Sequence, residues 1–384
     1  ISLDDLSLDN FTASGILSLN ETDLFLKPFN FKKEKGDALE IGFEAEMSDN
    51  LSVYISNKAS ESIDIKGNIV INKNKEISIN KLKINNFKNL NLSLSGDIKA
   101  RKINANINGE LIDLSALKIE RKKKNNFFFD QQDFKFDVKN AILEGLVNVR
   151  NMNFEINQER EKLNVKGKAE SNGHTLYYNR KKDENNDQTM IKSTDIISFI
   201  GDNHPFKKIL SRADVTISSS RESYSTKSIN DIKLKEFTLI NSPASLKLLT
   251  LPSLSGISGL IENEEGINFL KGEVKYIEDT DYFTDIEMYG VSDSIGLVMD
   301  GSINRRDRTL DFVGEISPIH LINMLLKKVP IIGDLLVGNE GEGLFAFEFE
   351  MRGDASDPDV ISNPLSIAKP QILERASEYL GAID

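Results

Sequence analysis

The sequence has few residues whose type and spacing suit catalysis or metal binding. Cysteine is absent, and the three histidines, His174, His204 and His320, are too far apart to form an H-x-H or H-x-x-x-H pair. The sequence contains no G-x-S-x-G, phosphate-loop or dinucleotide-binding motif. The acidic stretches 183–187 and 354–359 do not fit the ligand spacing of a calcium loop. We therefore predict a protein that is not an enzyme and has no metal or cofactor.

Apolar residues in the segment 310–373 form a clearer pattern than any polar group. Alternation over 310–316 and 344–351 predicts two half-buried strands, because side chains on a strand point to opposite faces with a period of two. Glu348 and Glu350 should then face water, since burying an unpaired carboxylate is costly. The residues predicted to form an apolar binding surface are Phe312, Phe345, Phe347, Phe349 and Met351.

A helix is predicted directly after the first of these strands. Pro318 suits a first helical turn, and Pro330 must end the helix because proline lacks the amide donor. The apolar residues at helical spacing and the two lysines that follow them are Ile319, Ile322, Leu325, Leu326, Lys327 and Lys328. Two interpretations remain open. The helix packs into the core of the sheet, or it acts as a plug that meets a lipid interface with both lysines reaching the polar side.

The composition is that of a folded protein, with 384 residues of which 39% are hydrophobic and 28% are charged. A formal charge of −12 argues against a nucleic-acid partner, whose phosphates need clustered cations. The basic runs 121–124 and 180–182 lie beside asparagine-rich sequence and are interpreted as solvated loops. The uncharged stretch 248–261 is shorter than the roughly 20 apolar residues of a membrane-spanning helix.

A short motif recurs along the chain, in which two apolar residues at alternating positions are followed two residues later by glycine. The motif ends at Gly15, Gly67, Gly96, Gly109, Gly145, Gly167, Gly290, Gly301, Gly314 and Gly353. Glycine inside a strand often marks a bulge or bend, so we expect bends with positive φ at Gly301 and Gly314. An antiparallel sandwich and an open sheet both fit the motif. The scarcity of helical stretches over 1–180 and 264–354 favours the open sheet.

The predicted fold is mainly β, an elongated, curled, antiparallel-rich sheet that forms a groove, with a few amphipathic helices toward the C-terminus. The predicted helical stretches are 193–210, which is broken by Gly201 and Pro205, and 243–261, 318–336 and 364–380. The predicted organisation is a β-repeat segment over 1–120, a continuing sheet over 121–236 with a short helical insertion near 193–210, and a C-terminal region with helices over 237–384.

Four features of the region 237–375 occur together: the stretch SPASLKLLTL at 242–251, the strands around Gly301 and Gly314, the block VPIIGDLLVG at 329–338 followed by GEG, and the ending DPDV with NPL at 357–365. In this combination the region resembles the C-terminal region of the AsmA-like proteins, the bacterial envelope group that includes YhdP-type and TamB-type proteins. Upstream, the chain is similar to them only in its repeated short strands.

The resemblance implies a long, curled, taco-like β-sheet whose hydrophobic groove carries phospholipid between the inner and outer membranes. We would then expect a periplasmic segment tethered by an N-terminal anchor that is not in this chain, acyl lipid as ligand, contact with a membrane through the C-terminal helices, and envelope proteins as partners. The alternative is a structural or assembly scaffold of the envelope that acts through its sheet edges. A lipid conduit needs an apolar stripe that continues from strand to strand, and the sequence leaves that question open.

Overall fold

In the computed structural model, the described residues are 2–7, 10–26, 31–60, 63–85, 90–114, 129–143, 146–202, 204–240, 267–293, 295–318 and 345–367. The chain forms two compact units. The first unit comprises Ile1–Glu184 with Ser198–Gly201, and the second comprises Asn185–Ile197 with Asp202–Asp384. Both units are built almost entirely from strands, which confirms the prediction of a mainly β, antiparallel-rich protein.

The first unit contains fourteen strands among its described residues. Their bounds are β1 Ser2–Ser7, β2 Asn10–Ser18, β3 Leu24–Leu26, β4 Phe31–Lys33, β5 Leu39–Met47, β6 Leu51–Ser60, β7 Asp64–Ile71, β8 Ile77–Asn85, β9 Leu90–Lys99, β10 Lys102–Leu114, β11 Gln131–Leu143, β12 Val149–Glu159, β13 Lys162–Ser171 and β14 His174–Lys182. Strands β3 and β4 form a separate two-stranded hairpin.

The other strands of the first unit pair in chain order, from β1 and β2 through β5 to β14. All of these described pairings are antiparallel except β10 with β11, which is parallel. Tight turns join many neighbours, and at the β13–β14 turn Asn172 and Gly173 both have positive φ, as a two-residue hairpin loop requires.

The second unit contains nine strands among its described residues, and each pairs antiparallel with the next. Their bounds are β15 Asn186–Ser193, β16 Leu210–Glu222, β17 Ser228–Leu239, β18 Ile267–Glu278, β19 Tyr282–Ser292, β20 Ile295–Asn304, β21 Thr309–Pro318, β22 Phe345–Asp354 and β23 Asp359–Ile367. A 3-10 turn, Ile196–Ser198, and a short helix, α1 Pro205–Ile209, lie between β15 and β16.

Each unit has its own apolar core. The core of the first unit is formed by buried residues of β9–β13 together with Phe199, which is 1% exposed. In the second unit the core runs across β16–β22, with partly buried Val360 of β23 packed against it. The buried members of the second core are Ala213, Phe237, Phe269, Ile286, Ile295, Met299, Phe312, Ile316, Phe349 and Met351.

The glycines at Gly301 and Gly314 do not have the positive φ that the sequence interpretation gave them, and that part of the prediction is wrong. Both instead accommodate a ring from the neighbouring strand. An added Cβ at Gly301 would lie 2.5 Å from Cδ1 of Phe312, and Gly167 likewise makes room for the ring of Phe154. Room for a neighbouring ring, rather than a left-handed backbone, therefore explains these glycines.

The predicted helices are confirmed in little of the described chain. The broken stretch 193–210 is helical only in the 3-10 turn Ile196–Ser198 and in α1, because β15 ends at Ser193 and β16 begins at Leu210. Pro318 closes β21, and the residues from Pro364 to Ile367 belong to β23. The rest of the predicted helices, 243–261, 319–336 and 368–380, lies outside the described residues.

The basic run 180–182 was interpreted as a solvated loop, and this is also wrong. Arg180, Lys181 and Lys182 are the last three residues of β14. The alternation of the strand therefore places Lys181 on one face and the other two cations on the opposite face.

Candidate functional site

The strand register of the first unit aligns apolar residues into an unbroken row. The row runs from β2 through β5–β14, one residue per strand, and we call it the central row. It consists of Gly15, Phe43, Ile55, Gly67, Leu82, Leu94, Ile107, Phe136, Phe154, Gly167 and Tyr178. Residues paired in register share a face of the sheet, so these side chains form one continuous stripe.

Two further rows lie beside the central row on the same face. The second row is apolar on ten strands and consists of Ala13, Ala45, Val53, Ile69, Ile79, Gly96, Ala105, Phe134, Ile156 and Val165. The third row is apolar on seven strands and consists of Phe11, Met47, Leu51, Ile71, Ile77, Ile98 and Ile103. We call the three rows together the apolar face.

The central row is half-buried along its whole described length. Adjacent rings contact one another there, with the ring centroids of Phe154 and Tyr178 6.1 Å apart. A row of eleven strands spans about 48 Å, given about 4.8 Å between neighbouring strands. Half-buried apolar side chains over such a length are unusual on a soluble surface and indicate a binding surface.

The opposite face of the same strands is polar and carries charges of both signs. Lys139 Nζ lies 2.7 Å from Glu110 Oε1, and Asn157 Nδ2 donates to Asp133 Oδ1 at 2.8 Å. These groups are solvent-exposed, so they add little to stability but keep that face hydrated. The first unit is therefore amphipathic across the thickness of its sheet.

The second unit has a comparable row that crosses β15–β22. It consists of Ile191, Ile217, Ile232, Val274, Met288, Met299, Gly314 and Phe349. The first five members are half-buried, whereas Met299 is 7% and Phe349 2% exposed. This row is therefore accessible over β15–β19 and closed by packing over β20–β22.

Three of the five predicted binding residues have described side chains. Phe312, Phe349 and Met351 lie together in the core of the second unit and are almost fully buried. Their strands alternate as predicted, because Glu350 is exposed and Glu348 is partly exposed. Phe345 and Phe347 lie on β22, but their side chains are outside the described set. Phe312, Phe349 and Met351 therefore belong to the packed core of the second unit.

The predicted plug helix lies outside the described residues, and this applies to Ile319, Ile322, Leu325, Leu326, Lys327 and Lys328. The longer of the two accessible rows described above is in the first unit, where sequence reasoning named no site residue. The recurring glycine motif could have indicated this row from the sequence, because Gly15, Gly67 and Gly167 all belong to the central row.

One end of the second unit carries an aromatic group at the margin of its core. The rings of Tyr276 and Phe283 meet edge to face at 5.2 Å, and the Arg305 guanidinium lies 4.4 Å over the Phe283 ring. Arg305 also pairs with Glu278 at 3.1 Å. Burial raises the pKa of Tyr276, with a further contribution from the Glu278 carboxylate. The arrangement closes one edge of the core of the second unit.

In the part of the chain that the structure describes, no three His, Asp or Glu side chains are grouped as a metal site. Over the same residues, no helix has the length and hydropathy needed to span a membrane. Comparison of the chain with protein-family models, curated proteins and solved structures finds no match.

Proposed function

We propose that this chain is a non-enzymatic segment of a lipid-transfer protein, which carries phospholipid along an apolar groove formed by a curled β-sheet. The observation that supports the proposal best is the central row of the first unit, which is apolar on eleven consecutive paired strands and half-buried. A closed structural core would bury such a row completely.

The dimensions support an acyl chain as ligand. One leaflet of a bilayer has about half of the roughly 30 Å hydrocarbon thickness, so a row of about 48 Å is longer than any single acyl chain. Each methylene removed from water contributes about 0.8 kcal/mol, so chains lying on the apolar face would be held without hydrogen bonds. Binding through many equivalent contacts allows a lipid to move along the row in small steps.

The resemblance to AsmA-like proteins leads to the same proposal. On this basis the segment would act in the bacterial periplasm, tethered to the inner membrane through a part of the protein outside this chain, and would serve the outer membrane. The described rows would then form one portion of a longer path for lipid.

The first test is mass spectrometry of lipids that co-purify with the protein, before and after delipidation. The second test uses a photo-crosslinking phenylalanine analogue at Tyr178 and, as a matched control, at Tyr177. Tyr178 belongs to the central row, whereas its neighbour Tyr177 is on the polar face and 55% exposed. Phospholipid should be labelled from position 178 and hardly at all from position 177. Absence of bound lipid, or equal labelling from both positions, would reject the proposed function.

A further inference from the structure

A fourth row lies on the same face of the first unit, beside the central row and on the side away from the second row. Its members are two residues from those of the central row, and on β5 and β7–β14 they are Ile41, Ile65, Ile84, Leu92, Gly109, Val138, Met152, Ala169 and Leu176. The row is half-buried on β5, β7 and β8. On β9 and β11–β13 its members are at most 8% exposed. The fourth row therefore changes from accessible surface to packed core along the sheet.

This change narrows the accessible apolar strip. On β7 four successive positions of the face are apolar and half-buried, namely Ile65, Gly67, Ile69 and Ile71. On β11 the accessible apolar positions are Phe134 and Phe136. They lie between Gln132, which is polar, and Val138, which is 0% exposed. Neighbouring positions on one face are about 7 Å apart, so the strip is about 20 Å wide on β7 and about 7 Å wide on β11.

Phe199 packs where the fourth row becomes core. Its ring is 1% exposed and belongs to the same buried cluster as Leu92, Val138, Met152 and Ala169. Among the described members of that cluster, Phe199 is the one that is not on a strand. Side chains on one face of a sheet stand side by side, so they stay accessible unless another group lies over them. The Phe199 ring is such a group.

Backbone contacts fix the position of this ring within the first unit, to which residues 198–201 belong. The amide of Val147 donates to the carbonyl oxygen of Phe199 at 3.0 Å, and Leu146 forms an isolated antiparallel bridge with Ile200. Both links lie just before β12, which begins at the buried Val149. The ring is therefore held beside the start of β12 by its own main chain.

We propose that Phe199 is a specificity-determining residue, which sets the width of the lipid path over β9–β13 so that straight acyl chains fit and methyl-branched chains do not. The inference rests on the proposed function and specifies its ligand as a lipid with unbranched chains. A straight chain can lie along the half-buried central and second rows. A methyl branch would meet the packed Phe199 side, where little free volume remains, or would cover the polar amides of Gln132 and Gln158.

Shortening Phe199 should open the closed side of the path. A cavity remains after such a change because the surrounding structure relaxes only partly, and a cavity with an apolar lining accepts apolar guests. Its lining would come from the fourth row, including Val138 and Met152. Phe199→Ala should therefore admit methyl branches, and Phe199→Leu, which leaves a smaller cavity, should admit them less.

The test incubates the full chain with mixed vesicles of dipalmitoyl and diphytanoyl phosphatidylcholine, and mass spectrometry measures the ratio of the two lipids bound. These lipids share the headgroup and the length of the main chain, so the methyl branches are the difference. Each variant is compared with the original protein, so that the properties of the vesicles cancel. The matched control is Leu39→Ala, which removes a side chain that is 1% exposed from the separate buried cluster of Leu39 and Ile63. Circular dichroism and the melting temperature establish that each variant is folded.

We expect Phe199→Ala to raise the ratio of bound diphytanoyl to dipalmitoyl lipid by about tenfold or more, because room for one extra carbon in an apolar pocket changes discrimination by about that factor. Phe199→Leu should give a smaller rise and serves if Phe199→Ala does not fold. Leu39→Ala should leave the ratio unchanged. An unchanged ratio in the Phe199 variants, or an equal rise in Leu39→Ala, would overturn the assignment. If the original protein binds neither lipid, the proposed function itself fails, which is a distinct outcome.

Discussion

Phe349 places its ring over Gly314, its register partner on the neighbouring strand. An added Cβ at Gly314 would lie 2.5 Å from Cζ of Phe349 and 2.6 Å from the carbonyl oxygen of Val298. The ring can therefore occupy this space only because position 314 has no side chain. Phe312 and Gly301 repeat the arrangement one strand pair away.

Gly314→Val should destabilise the second unit by about 1–3 kcal/mol or more, because overpacking forces either the ring or the backbone to move. The reason is crowding, since the backbone at position 314 is not left-handed. Urea unfolding measures the change. Gly314→Ala combined with Phe349→Leu should lose less stability than the two single changes added together. Strict additivity would show that the ring and the glycine are not coupled.

Phe349→Ala and Glu350→Ala should differ widely in stability although the residues are adjacent. Phe349 is 2% exposed, and removing a buried phenylalanine costs about 3–5 kcal/mol. Glu350 is exposed, and its ion pair with Arg352, at 3.2 Å, is also in solvent, so its loss should have little effect. Thermal unfolding of both variants is the measurement, and similar melting temperatures would contradict the assignment of faces.

Lys33 should be needed for the stability of the first unit. Its side chain is buried, and Nζ donates to the carbonyl oxygens of Glu34 at 2.9 Å, Thr22 at 3.0 Å and Asn20 at 3.4 Å. Lys33→Met keeps the length but removes the donors, and we expect a loss of about 2–4 kcal/mol.

The control for this change is Lys35→Met. Lys35 is exposed, and its ion pair with Glu21 at 3.3 Å is exposed as well, so that variant should unfold almost like the original protein. The interpretation fails if the two variants lose equal stability in urea unfolding.

Tyr289 should make stability depend on pH in the alkaline range. Burial raises the pKa of its phenol to about 12, whereas the unfolded chain has a phenol pKa of about 10. The folded state keeps the proton between these values while the unfolded state releases it. Stability is therefore full below about pH 10 and falls by roughly 2–3 kcal/mol as the pH approaches about 12.

The variant Tyr289→Phe cannot ionise and should lack this part of the pH dependence. Urea unfolding at about pH 9 and about pH 11 would compare the two proteins, so that all other titrating groups cancel. The same loss of stability in both proteins would show that Tyr289 is not the responsible group.

The fold class and the faces of individual strands could be predicted from the sequence, because side-chain direction on a strand alternates with a period of two. Alternation over 344–351 placed Phe349 and Met351 on the face opposite to Glu350, and the structure agrees. It did not reveal that both side chains are packed in the core, since the sequence interpretation assigned them to a binding surface. Local pattern was insufficient over 193–210, where a 3-10 turn and five helical residues of α1 replace the expected helix. Short apolar runs broken by glycine and proline do not distinguish helix from turn.

The candidate site depended on tertiary structure, because it exists only through the register between strands. A slip of one residue at any pairing would turn that strand's apolar residues to the other face and interrupt the row. The sequence near Phe136 does not indicate that Ile107 and Phe154 will lie beside it. The sequence near Tyr178 likewise does not indicate that Gly167 will be its register partner. Alternation of apolar and polar residues along the sequence is sufficient to make each strand amphipathic. The pairing of strands, which joins residues distant along the chain, aligns their apolar sides into one stripe.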